Sequence, residues 1–141
     1  MDPIVTVCED PTDAVRDAIL AALTRFNTDN GYPPDPAPVA LTITDDDGKI
    51  VGGLWGRTVD DWLFVDYLFV PSSLRGRDLG MQLMSKAEAI AIERGCVGSW
   101  LTTFTFQARG FYEKLGYDVF GTLDNAPRDN TRMFLRKHLR K

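Results

Sequence analysis

Two arginines and two glycines stand within six residues in Arg75-Gly76-Arg77-Asp78-Leu79-Gly80. An apolar run, Trp62 to Val70, precedes this stretch and is long enough for a strand; a helical pattern, Leu79 to Arg94, follows it. A strand that opens through glycines into a helix makes a site for phosphate. Glycine lets the backbone come close, the first N–H groups of the helix have no partner in the helix, and arginine adds charge.

Two further side chains could do chemistry. Asp66 is a carboxylate inside the otherwise apolar run. Burial would raise its pKa toward that of a useful base; it could equally hold a cationic ligand, or be a structural carboxylate bonded to backbone or to an arginine. Tyr112 lies on a helical face with Ala108, Phe111 and Leu115, and by spacing alone it is a half-buried aromatic of the core. His138 is the only histidine, which leaves no Ser–His or Cys–His arrangement and no histidine-rich zinc site. Cys8 and Cys96 have neither metal nor redox spacing and read as reduced, buried thiols of a cytoplasmic protein. Trp55, Trp62 and Tyr32 are candidates for an acceptor pocket or for the core and its rim.

The elements that must position these groups follow from pattern. Ile4 to Cys8 alternates weakly and predicts a strand. Asp10-Pro11-Thr12-Asp13 starts a helix, and Val15, Ile19, Leu20, Leu23 and Phe26 predict its buried face. Residues 27–38 form a long loop rich in proline, either a connector or the wall of a binding site. Val39–Thr44 and Lys49–Val59 are strands joined through Asp45-Asp46-Asp47-Gly48, a hairpin signal, and Asp60-Asp61 turns the chain into Trp62–Val70. Gly52, Gly53 and Gly56 weaken the middle strand but permit a bulge or a close ligand. The helix Leu79–Arg94 ends at Gly95 and leads to the strand Val97–Phe104; Thr105 can cap a second helix ending at Gly116. Strands at Tyr117–Leu123 and Thr131–Lys137 complete the order β-α-β-β-β-α-β-α-β-β, an α/β fold in one domain, residues 1–141.

Composition fits a soluble globular protein, with 44% apolar and 26% charged residues and no apolar run near the ~20 residues of a membrane span. The acidic start, Met1-Asp2-Pro3, does not resemble a secretory signal. Charge is uneven: residues 1–66 carry a net −9 and residues 67–141 a net +5. An acidic chain argues against general nucleic-acid binding, while its basic half suits an anionic cofactor and its acidic half a cationic acceptor.

The order of elements, together with two motifs, resembles the GNAT superfamily of acetyl-CoA-dependent N-acetyltransferases over nearly the whole chain. Arg75-Gly76-Arg77-Asp78-Leu79-Gly80 lies on that family's Arg/Gln-x-x-Gly-x-Gly/Ala loop, with Asp78 where glycine is usual. Thr105-Phe106-Gln107-Ala108, followed by Phe111-Tyr112-Glu113-Lys114-Leu115-Gly116-Tyr117, lies on its second motif, with Thr105 where asparagine is usual. The resemblance implies a mixed, mostly antiparallel sheet flanked by helices, and a strand Trp62–Val70 that splays at a bulge. It further implies that the backbone of Leu68, Phe69 and Val70 meets the thioester and pantetheine of acetyl-CoA. In the same way it assigns the pyrophosphate to Arg75, Gly76, Arg77, Asp78, Leu79 and Gly80, counts Thr105 among the coenzyme-binding residues, and makes Tyr112 the proton donor to the departing thiolate. Asp78 sets a carboxylate where phosphate should sit, so binding is expected to survive but weaken.

The expected activity is acetyl transfer to a small primary amine within a ternary complex. The alternatives are an acyl-CoA-binding module without catalysis, or acetylation of a protein lysine or N-terminus. Expected partners are acetyl-CoA and the amine, without nucleic acid, metal or membrane; a homodimer is compatible with the sequence.

Overall fold

A computed structural model describes residues 1–140; Lys141, at the end of the basic tail, lies outside the described residues. The chain divides into two compact units, Met1–Pro34 and Asp35–Lys141.

The first unit holds one helix, α1 (Asp13–Asp29). Thr12 is its N-cap, with Oγ1 accepting from the Val15 N–H, and Asp13 lies in the first turn, where a negative charge suits the helix dipole. Three expectations fail here. Ile4–Cys8 forms no strand, and Cys8 is exposed rather than buried. No residue of α1 is buried, and Val15, Ile19, Leu20, Leu23 and Phe26 are all exposed. The physical reason is shared. A strand needs a ladder and an apolar stripe needs a facing surface, and a unit with a single helix supplies neither.

The second unit is a six-stranded sheet of β1 (Ala37–Thr44), β2 (Ile50–Val59), β3 (Trp62–Phe69), β4 (Gly98–Phe104), β5 (Asp118–Leu123) and β6 (Arg132–His138), with α2 (Leu79–Glu93) and α3 (Arg109–Lys114). Its spatial order is β1-β2-β3-β4-β6-β5. The β1–β2–β3 meander and the β4–β6–β5 group are antiparallel; β3 and β4 are parallel and joined by the α2 crossover. From α1 onward the elements follow the expected order, with strand limits within two residues of those read from pattern. In the first hairpin Asp45 Oδ1 accepts from the N–H groups of Asp47 and Lys49. In the second, Asp60 and Asp61 both have positive φ, the geometry of a tight two-residue turn.

One core lies between α2 and one face of the sheet. Leu83, Met84, Ala87 and Ala91 of α2 pack with Val39, Leu54, Leu63, Val65, Leu101, Met133 and Leu135. A buried polar cluster closes its edge. The Tyr117 hydroxyl bonds to Glu88 Oε2 at 2.7 Å and to Ser99 Oγ at 2.9 Å, and Lys137 Nζ donates to Glu88 Oε1 at 2.8 Å. The cluster links α2, β4, β6 and the turn after α3. That turn in turn holds Tyr112, whose carbonyl accepts from the Leu115 and Tyr117 N–H groups.

Candidate active site

The site begins where two strands part. β3 and β4 pair from Trp62/Gly98 to Val65/Leu101 and no further, although β3 runs on to Phe69 and β4 to Phe104. The parting follows a bulge. Trp55 pairs with Tyr67 and Gly56 with Val65, so Asp66 is the extra residue. Gly56 makes this possible, because a Cβ there would lie 2.5 Å from the Phe64 carbonyl oxygen. Beyond the bulge Leu68 and Phe69 pair with β2 and leave the edge toward β4 free. Main-chain groups on that edge are available to a ligand in the wedge.

The glycine loop leaves the same end of β3. A short 3-10 turn, Ser72–Leu74, leads to Gly76 at φ 84° and Asp78 at φ 58°, both left-handed. The first bond of α2 runs from the Gln82 N–H to the Asp78 carbonyl. Among the described residues, the N–H groups of Gly76, Arg77, Asp78, Leu79, Gly80 and Met81 have no acceptor. A row of free N–H groups at a helix start is an anion cradle. Arg75 Nε donates to the Val70 carbonyl at 3.4 Å, which ties the loop to the strand end, and Arg77 is exposed. Asp78 is exposed as well, and its side chain does not cap α2.

Gly80 joins the two sequence motifs. A Cβ on it would stand 3.1 Å from Phe111 Cζ, so the start of α2 and α3 pack closely at that point. The next residue, Tyr112, is buried, with its ring edge-on to both Phe111 and Tyr117. Burial pushes its phenol above the ordinary value of 10.0 and so favours the protonated form that a proton donor needs.

Thr105 does not cap α3. The helix starts at Arg109, too far along the chain for that hydroxyl, which instead donates to Asn130 Oδ1 at 2.9 Å and receives the Thr131 N–H. Gln107 takes the local role, its Oε1 accepting from the Phe104 N–H and the Thr103 hydroxyl. Gly110 has open space where a Cβ would be, so no close approach explains it.

Asp66 is ion-paired. Arg57 Nη1 reaches its two oxygens at 2.8 and 3.0 Å, and the Arg57 guanidinium lies over the Phe64 ring. Of the readings open for Asp66, bonding to an arginine is the one observed, and it is compatible with holding a ligand's ammonium. Sequence reasoning missed Arg57, because a bulge between them decides that it meets Asp66. Trp55 is half-exposed opposite Tyr67, Trp62 packs edge-on to His138, and Tyr32 is exposed in the first unit. Cys96 is buried just before β4, at the strand end opposite the wedge; desolvation, then Asp61, raises its thiol.

Known proteins resemble the chain in sequence and in fold. The profile of the acetyltransferase (GNAT) family matches residues 9–117. Acetyltransferase Atu2258 of Agrobacterium fabrum is 37% identical over 111 residues, 78% of this chain and 77% of its own length. Blasticidin-S acetyltransferase of Streptomyces morookaense is 42% identical over 93 residues, 65% and 68% of the two chains. The crystal structure of an acetyltransferase from Bacillus cereus superposes with a TM-score of 0.80 at 31% identity, covering 94% of this chain and 97% of its own. A matched profile over most of the chain, relatives at this identity and a shared fold lead to one assignment: the chain belongs to the GNAT family of acetyltransferases and is an N-acetyltransferase.

Proposed function

We propose that the enzyme moves the acetyl group of acetyl-CoA onto a small primary amine, by direct transfer while both are bound. The observation that carries this reading is the wedge between β3 and β4 opening beside a loop of six unpartnered N–H groups. Those N–H groups, with Arg75 and Arg77, take the pyrophosphate, and the free edge of Leu68, Phe69 and Val70 takes the pantetheine and the thioester oxygen, a use of fixed dipoles where charge develops.

The amine nitrogen attacks the thioester carbon, the carbon–sulfur bond breaks, and sulfur leaves as thiolate. Tyr112 donates its phenolic proton to that sulfur. Asp66, with its charge held by Arg57, draws the acceptor's amine to the wedge and takes its proton directly or through water. No covalent acetyl-enzyme is invoked, because Cys96 lies at the end of β4 away from the wedge. The relative named for blasticidin S supports a small-molecule acceptor.

Calorimetry with acetyl-CoA, followed by thiol release over an amine panel that includes blasticidin S, tests the proposal. Micromolar-range binding that Arg75→Ala weakens, and turnover with at least one small amine, are expected. Absence of binding by the wild-type chain would overturn it.

A further inference from the structure

Arg132 carries a charge that nothing in the described chain answers. Its guanidinium carbon lies 5.7 Å from the Phe104 ring centre and 5.6 Å from that of Phe134. Nη2 donates to Thr102 Oγ1 at 2.9 Å; Nε is buried with no acceptor, and Nη1 has none either. Among the described residues Arg132 forms no ion pair. Two rings and one threonine therefore fix the plane of a half-buried cation and leave one edge of it free. Desolvating a guanidinium without a counter-charge is costly, and its flat fork matches a carboxylate oxygen for nitrogen.

Its place in the sheet says what the charge is for. Thr102, which holds it, is the first β4 residue beyond the last β3–β4 pair, and Asp66 is its counterpart on β3. Strand alternation sets Asp66, Thr102 and Arg132 on the face opposite α2. A carboxylate thus stands on one side of the parting and an unpaired guanidinium on the other. On the same face a groove of about 560 Å³ is lined by Arg57, which holds Asp66, and by Phe134, against which Arg132 packs, though not by Asp66 or Arg132 themselves; from there it extends over Trp100 toward Trp62 and Asp60.

We propose that the acceptor is an amine that also carries a carboxylate: its ammonium sits by Asp66, and its carboxylate is bound by Arg132 through the free Nη edge. Arg132 is then a specificity-determining residue of the transfer. The inference rests on the amine-acetylation reading above.

Matched probes test it: lysine against cadaverine, and phenylalanine against phenethylamine, each measured by thiol release and by saturation-transfer NMR. In the wild type the carboxylate-bearing member of a pair should have at least a tenfold lower KM. Arg132→Met should erase that difference while leaving the KM for acetyl-CoA within twofold. Arg132→Lys, which keeps a cation but not the fork, should recover part of it, and a melting curve checks that each variant is folded. Equal KM values within both pairs in the wild type would overturn the proposal and leave amine acetylation standing. If no amine turns over, yet the carboxylated probes bind and lose binding in Arg132→Met, the anion site stands and the amine reading falls. Equal loss of both pair members in folded Arg132→Met and Arg132→Lys would reduce Arg132 to a support for the sheet and overturn its role in specificity.

Discussion

At the scale of single residues, the proposed reaction divides between a proton donor and a phosphate cradle, and each makes its own prediction. Tyr112 is buried and its phenol is raised, so it remains protonated through the neutral range. Tyr112→Phe removes only the hydroxyl. Acetyl-CoA affinity should hold by calorimetry while kcat falls at least about tenfold, within the span typical of a positioned acid; a wild-type kcat would end the assignment. The wild-type kcat should also stay level to about pH 10 and decline only above it, because the donor is lost as the pH passes its raised value. Asp78 poses the opposite case. It occupies a left-handed position, φ 58°, where glycine carries no strain, and it sets a negative charge at the mouth of the proposed phosphate site. Asp78→Gly removes both penalties. Calorimetry should find acetyl-CoA bound several-fold more tightly; unchanged or weaker binding would mean that the side chain lies clear of the phosphates.

Between residues and the whole lie the elements, and here the sequence was legible in part. Strand limits could be read because alternation and turn residues are local signals: Asp45 to Gly48 and Asp60-Asp61 do turn the chain where expected. The parting of β3 from β4 is not a local signal, since pairing is decided by a partner more than thirty residues away. The Arg57–Asp66 pair, only nine residues apart, was hidden because a bulge decides that the two meet, and the unanswered charge of Arg132 because its partner Thr102 lies thirty residues away. The face of α1 shows a further limit: amphipathic spacing says that a stripe would gain from burial, but not what surface covers it. The glycines of β2 permit a bulge or a close ligand; a bulge is observed at Gly56, and it can be tested. A Cβ at Gly56 meets the Phe64 carbonyl oxygen, which is backbone and cannot swing aside. Gly56→Ala should therefore cost ~1–3 kcal/mol in urea unfolding. It should also raise the KM for acetyl-CoA, because the same bulge opens the wedge. Loss of stability with unaltered KM would separate the bulge from the site.

For the sheet and its helices taken together, the buried cluster around Tyr117 governs how stability depends on pH. Tyr117 is fully enclosed, and desolvation raises its phenol strongly, with the nearby Glu88 carboxylate adding to the effect; burial raises Tyr112 in the same direction. In the unfolded chain both phenols ionise near the ordinary value of about 10. The folded state then keeps protons that the unfolded state releases. Stability is thus undiminished below about pH 10 and falls as pH rises beyond it. Tyr117→Phe separates the two contributions of that hydroxyl. At neutral pH the variant should be less stable by ~1–3 kcal/mol, since Glu88 and Ser99 lose a buried partner. Above pH 10 its melting temperature should decline less steeply than that of the wild type, because one of the two raised phenols is gone. Parallel decline of the two proteins between pH 9 and 11 would show that Tyr117 does not set the alkaline limit of the fold.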